Sequence, residues 1–310
     1  MRSPIAQVLL IAAALLATAC PSQAQTSGYL SAWQPIEGVR YLAFDNGGNA
    51  YVTGDLVREI LVYSQSGSLI RQWGSVGSEP GQFWEPMGVA LDASGNVYVG
   101  DRINHNIQVF SPDGTLLRHW DTSSQPTGIA VDGQGRVHVL DWATHRLQTF
   151  SAEGVLLNQF GSQGYGPGQF NYPYGIAVSS DGNLYVADTH NNRVQVFSGS
   201  GAYLFEWGTF GAGPGQFQQA FGITIDPAGN VYVSDRYNGR VQVFTSNGVF
   251  LTQFGAFGSG PGELSFAWGV AIHDGLIHVA DPYNDRVVIY GAPPTSVKSA
   301  SWGQVKRVYR

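Results

Sequence analysis

The sequence predicts an all-β fold, a six-bladed β-propeller of four-stranded blades whose ring is closed by the N-terminal strand. Three observations predict it. A self-similar unit recurs six times, each unit alternates like a strand and carries turn residues, and one extra strand stands ahead of the first unit at a telling distance. A repeat of about 40–50 residues built from short strands is the pattern of stacked blades.

The units begin GVRYLAFDNGGNAYV, MGVALDASGNVYV, TGIAVDGQGRVHV, YGIAVSSDGNLYV, FGITIDPAGNVYV and WGVAIHDGLIHV. Their marker positions, Asp45, Asp92, Asp132, Ser179, Asp226 and His273, lie 47, 40, 47, 47 and 47 residues apart. An aromatic closes each of the first five units 28 residues after its marker, at Trp73, Trp120, Phe160, Trp207 and Phe254. The unit is therefore rigid, and only the linker between units varies. Inside it, runs such as NVYV and RVQVF alternate and are rich in β-branched and aromatic residues, which suit a pleated surface. The SGN and DGN tripeptides are hairpin turns, with Gly supplying the left-handed position.

The sixth unit lacks an obvious fourth strand. The run YLSAW at 29–33 resembles YLFEW at 203–207, and Trp33 precedes Asp45 by 12 residues, the same count that separates Trp120 from Asp132. That spacing makes the N-terminal run the closing strand, which removes an exposed sheet edge. A run ending at Trp302, 29 residues after His273, is the second choice.

Composition agrees. The chain has 310 residues, 41 of them Gly, with 12% charged and 13% aromatic, which is no disordered composition. A net charge of −6 argues against a nucleic-acid partner, which calls for a basic face. Residues 1–24 read as an export signal, with Met1-Arg2 followed by an apolar run too short to span a bilayer. Two processing routes stand side by side. Ser22-Gln23-Ala24 suits ordinary cleavage before Gln25, and Leu16 to Cys20 resembles a lipobox that would attach a lipid to Cys20, the single cysteine. The expected location is extracytoplasmic: periplasmic, secreted or lipid-anchored to the envelope, with membrane attachment only through Cys20. The expected domains are the signal (1–24), the propeller (28–291) and a basic tail (292–310) bearing Lys298, Lys306, Arg307 and Arg310.

The repeats resemble the NHL family, G-I/V-A-V-D-x-x-G-N-V-Y-V-x-D-x-x-N-x-R-V-Q-V-F, closely in blades 2, 4 and 5. Blade 3 departs at Trp142-Ala143-Thr144, and blade 1 has Gly54 for the Asp. The resemblance covers about residues 36–290 and implies a fold, while one fold hosts many functions. One NHL-type enzyme, the peptidyl-hydroxyglycine amidating lyase, places zinc-binding histidines just before inner strands. None of the matching positions here is His, so the resemblance does not extend to that reaction.

In such a ring the blade linkers and the loops between second and third strands share one face. The residue at the mouth of each inner strand is Arg40, Met87, Thr127, Tyr174, Phe221 or Trp268. A wider ring follows the D-x-x-N aspartates, at Asp55, Arg102, Trp142, Thr189, Arg236 and Pro282. An apolar patch with a few convergent polar groups is the default ligand site, and these aromatics equally suit plugging the channel. The expected ligand-binding residues are Arg40, Met87, Arg102, Thr127, Trp142, Tyr174, Phe221, Arg236 and Trp268. Asp101, Asp141, Asp188, Asp235 and Asp281, with Arg146, Arg193, Arg240 and Arg286 five residues on from the last four, recur too regularly for catalysis and read as structure. His138 and His278 take strand positions held elsewhere by Tyr98 and Tyr232, while His105, His145 and His190 sit in loops without the spacing of one metal cage. No catalytic residue, metal site or cofactor is expected. The expected function is a monomeric binding or scaffold propeller recognising a protein, peptide or glycan on its linker face. The alternative is a propeller-type lyase or hydrolase with a metal site that the sequence does not display.

Overall fold

The computed structural model describes residues 28–34, 38–54, 56 and 58–291. The export signal, Cys20, Asp55 and the tail at 292–310 lie outside them. Blade 1 consists of Val39–Phe44, Ala50–Gly54, Ile60–Tyr63 and Leu69–Trp73, hydrogen-bonded in that order. Blades 2 to 5 repeat the meander, with inner strands Pro86–Leu91, Pro126–Val131, Gly175–Val178 and Ala220–Ile225. Blade 6 runs Val270–His273, Leu276–Asp281 and Arg286–Gly291, and its fourth strand is Tyr29–Trp33. Tyr29 pairs with Tyr290 and Trp33 with Val287, antiparallel, so the N-terminal strand closes the ring as its spacing predicts.

The closing aromatics explain why that spacing is conserved from unit to unit. Each packs its ring on the third strand of the next blade: Trp73 on Phe110, Trp120 on Phe150, Phe160 on Phe197, Trp207 on Phe244 and Phe254 on Tyr290. Trp33 completes the set on Tyr63 of blade 1, with centroids 4.9 Å apart. The second and third strands are buried almost throughout, while the fourth strands alternate or face water. The core therefore lies between blades.

The inner strands approach closely because they carry a glycine. A Cβ on Gly88 would stand 2.2 Å from the carbonyl oxygen of Thr127 in the next blade, and Gly128, Gly175 and Gly222 repeat that contact. Blade 1 has Tyr41 at this position, and its side chain is buried. Its hydroxyl donates to the carbonyl of Tyr174, on the far side of the ring, at 3.5 Å. A channel of about 300 Å³ lined by all six inner strands lies at the axis, with Tyr41 among its walls.

Candidate functional site

The linker face is shaped by the D-x-x-N loops. In blade 4, Asp188 accepts the backbone N–H of Asn171 at 2.7 Å, and Asn191 Nδ2 bridges Asp188 to the Gly164 carbonyl of the linker. Asp101, Asp235 and Asp281 repeat both contacts with Asn104, Asn238 and Asn284. Burial pushes the Asp188 and Asp235 carboxyls upward, and these donors together with Arg193 and Arg240 oppose it. The aspartates thus staple linker to loop, as their repetition suggests.

The arginines do so in three blades. Arg193, Arg240 and Arg286 each donate Nε to their aspartate and Nη2 to two carbonyls of the Gly-Pro-Gly linker turn. Arg146 departs from the expected pattern and is exposed. Blade 3 follows the short linker, which lacks that turn and its carbonyls, and Asp141 takes the Ser123 hydroxyl instead.

At the centre of this face the mouth residues gather. Tyr174 stacks on Phe221 with centroids 4.2 Å apart, and Phe221 lies 4.4 Å from Trp268. The Arg40 guanidinium sits 3.6 Å above Trp268, and Arg236 lies 4.8 Å from Trp268 and 5.2 Å from Phe221. Arg102 stands 5.7 Å from Trp142 and grips Glu85 with contacts of 2.7 and 2.8 Å. Met87, Thr127, Phe221 and Trp268 are buried, so they form the floor of the mouth. Arg40, Arg102, Trp142, Tyr174 and Arg236 are half-buried and form its accessible part. Three guanidiniums and one carboxylate, Glu85, act on the Tyr174 phenol, whose pKa burial raises and the arginines pull back. The mouth is thus locally cationic on an acidic chain.

Tyr172, which no repeat or motif singles out, joins this face. It adopts φ +49° and sits between His145 and His190, at ring distances of 4.6 and 4.9 Å, with Trp142 also at 4.6 Å. His145 Nδ1 accepts the Tyr172 N–H at 3.0 Å, the same service that Asn192 Oδ1 gives Gln219 one blade later. Burial holds both histidines below the usual imidazole range. His138 is a strand packing residue, bonded to Asp132 and Thr149. Among the described residues, no three His, Cys, Asp or Glu side chains are grouped to hold a metal ion.

A larger recess, about 790 Å³, opens on the opposite face between the hairpin turns of blades 4, 5 and 6. Two of its carboxylates, Asp181 and Asp226, are engaged by their own turns. Asp226 accepts from Ala228, Asn230 and Tyr232, and Asp181 from Ser179 and Asn183.

Six four-stranded blades around an axial channel define a β-propeller. Three of its segments, residues 83–110, 170–197 and 217–244, match the NHL repeat model. No match is found among curated protein sequences. Among solved structures, a streptogramin B lyase is 13% identical with a TM-score of 0.63 over 88% of this chain and 100% of its own. A catalytically inactive virginiamycin B lyase from Staphylococcus aureus with quinupristin is 14% identical, with a TM-score of 0.61 over 86% and 98%. A gluconolactonase from Xanthomonas campestris is 15% identical, with a TM-score of 0.65 over 87% and 93%. At these identities the likeness shows the fold alone.

Proposed function

We propose that the chain is an extracytoplasmic binding propeller that recognises an anionic group of a protein, peptide or glycan on its linker face. The observation that carries this reading is the convergence of Arg40 and Arg236 on the Trp268 and Phe221 rings, with Arg102 beside Trp142. A guanidinium binds a carboxylate with two parallel hydrogen bonds, and the half-buried rings of Trp142 and Tyr174 offer apolar contact surface. Export, a monomeric state and the absence of a nucleic-acid ligand belong to the same proposal, supported by residues 1–24 and by the net charge of −6.

Calorimetry against acidic peptides and uronic-acid oligosaccharides tests it. Arg102→Ala and Trp142→Ala each weaken the binder found by about 1–3 kcal/mol. Unchanged affinity in both, with loss on changing His273 and Asp274, moves the site to the opposite face. The alternative, a propeller-type lyase or hydrolase, draws support from the architecture shared with the two lyases and the gluconolactonase. Stoichiometric zinc or calcium in the purified protein would favour it. For the anchor, Cys20→Ser releases the protein from membranes if the lipobox is used, whereas a mature N-terminus at Gln25 by mass spectrometry rules the lipid out.

A further inference from the structure

We infer that a recess between blades 4 and 5, beside the arginine mouth, is a subsite for a neutral saccharide. The inference rests on the linker face being the binding face. The recess measures about 340 Å³, at the lower end of the roughly 300–1,000 Å³ range of small-ligand sites. Its walls are Asn171, Gln218, Gln219 and His190, with Phe210 and Tyr237 at the rim.

The chemistry of these walls selects the ligand. The side-chain amides of Asn171 and Gln218 make no hydrogen bond to another described residue, although their backbones are held by Asp188 and Asp235. An amide donates and accepts at once, which matches a hydroxyl group or a pair of adjacent hydroxyls. Phe210 is 71% exposed and Tyr237 44%, so two rings present their faces or edges to solvent at the rim. The C–H face of a pyranose covers such a ring. The walls contain no carboxylate and no lysine, and burial keeps His190 toward its neutral form. The nearby Arg236 donates Nη1 to Gln219 Oε1 at 3.0 Å.

The walls are also built in advance. Gln219 adopts φ +67° and Asn192 φ +55°, conformations costly for non-glycine residues, and the Asn192 Oδ1 to Gln219 N–H bond of 2.9 Å locks the two together. Phe210 lies on a short parallel ladder, Thr209–Phe210 with Gln216–Phe217, where the matching linkers of blades 2, 4 and 6 make only single bridges. The backbone that carries these side chains is thus already in place, which lowers the ordering cost of binding.

Saturation-transfer NMR tests the subsite with glucose, galactose, mannose, N-acetylglucosamine, maltose and cellobiose, and with blocked alanine tripeptides for comparison. At least one sugar receives saturation on the C–H protons of one ring face. Phe210→Ala and Gln218→Ala each lower its affinity by about tenfold or more at an unchanged melting temperature. Leu156→Ser, on an outer strand, leaves it unchanged. No response from any sugar, a response from the tripeptides alone, or a sugar response that survives both recess variants overturns the subsite. If the sugar response is lost in Arg102→Ala and kept in Phe210→Ala, the sugar enters the mouth. The subsite then falls while the linker-face reading stands. Sugar binding at the recess with no acidic ligand at the mouth keeps the subsite and overturns the anion-binding reading of the mouth.

Discussion

Removing residues 28–34 takes the fourth strand from blade 6, and the structure sets the size of the loss. Four paired positions join this strand to Arg286–Gly291. At about 1 kcal/mol net per hydrogen bond, the ladder contributes about 4 kcal/mol. Trp33 is half-buried on Tyr63, so its packing adds about 2 kcal/mol, roughly half the cost of truncating a fully buried tryptophan. The total of about 6 kcal/mol is a large part of the roughly 5–15 kcal/mol that holds a typical domain. At roughly 2–4 °C per kcal/mol, a circular-dichroism melt shifts down by about 12–24 °C. The buried Val287, Val288 and Tyr290 would also line an unpaired edge, so the shortened protein aggregates on heating. A shift under about 5 °C, roughly 1–2.5 kcal/mol on this scale, refutes the closure argument. So does a larger shift from removing residues 296–310.

Two further predictions concern charged and titrating groups. Arg193→Ala strands the buried Asp188 and costs about 3–5 kcal/mol, whereas Arg146→Ala at the matching exposed site stays within about 0.5 kcal/mol, and equal losses in urea titrations would sink the linker-turn explanation. Burial, with His273 close by, holds His278 down at about 4 against an ordinary value of 6.5. The unfolded chain therefore takes up this proton first as pH falls. The contribution is present above about pH 6.5 and is lost between there and about pH 4. His278→Phe, at a position in tilted ring contact with Phe44, should flatten the acid limb of a melting-temperature profile, and an unchanged slope counts against it.

The fold was legible because blade geometry is local and periodic. The constant 28-residue interval reflects one contact, a closing aromatic on the neighbouring blade, and Trp33 obeys it although it lies at the other end of the chain. The site was legible only as a set of positions. Nothing in the spacing says that Met87, Thr127, Phe221 and Trp268 form a buried floor, because that depends on side chains meeting across the axis. Tyr41 stands where the other five inner strands carry glycine, yet its partner Tyr174 lies 133 residues away. Arg146 shows a motif residue losing its role where the linker ahead of its blade is short. Asn171, Gln218 and Phe210 vary from blade to blade, so a search for the repeat passes over them.

Closure by Tyr29–Trp33 also fixes how the ring bears a mechanical load. Third and fourth strands meet in hairpins on the side away from the linkers, so Gly28 and Gly291 leave together there, joined by the Gly291 N–H to Gly28 carbonyl bond of 2.7 Å. A force drawing these two points apart acts across the strands, along their hydrogen bonds, and opens the pairs singly from Tyr29–Tyr290 toward Trp33–Val287. The ring is therefore weakest when pulled by both ends. Held by one end alone, it carries no load across that seam and turns its mouth away from the tether.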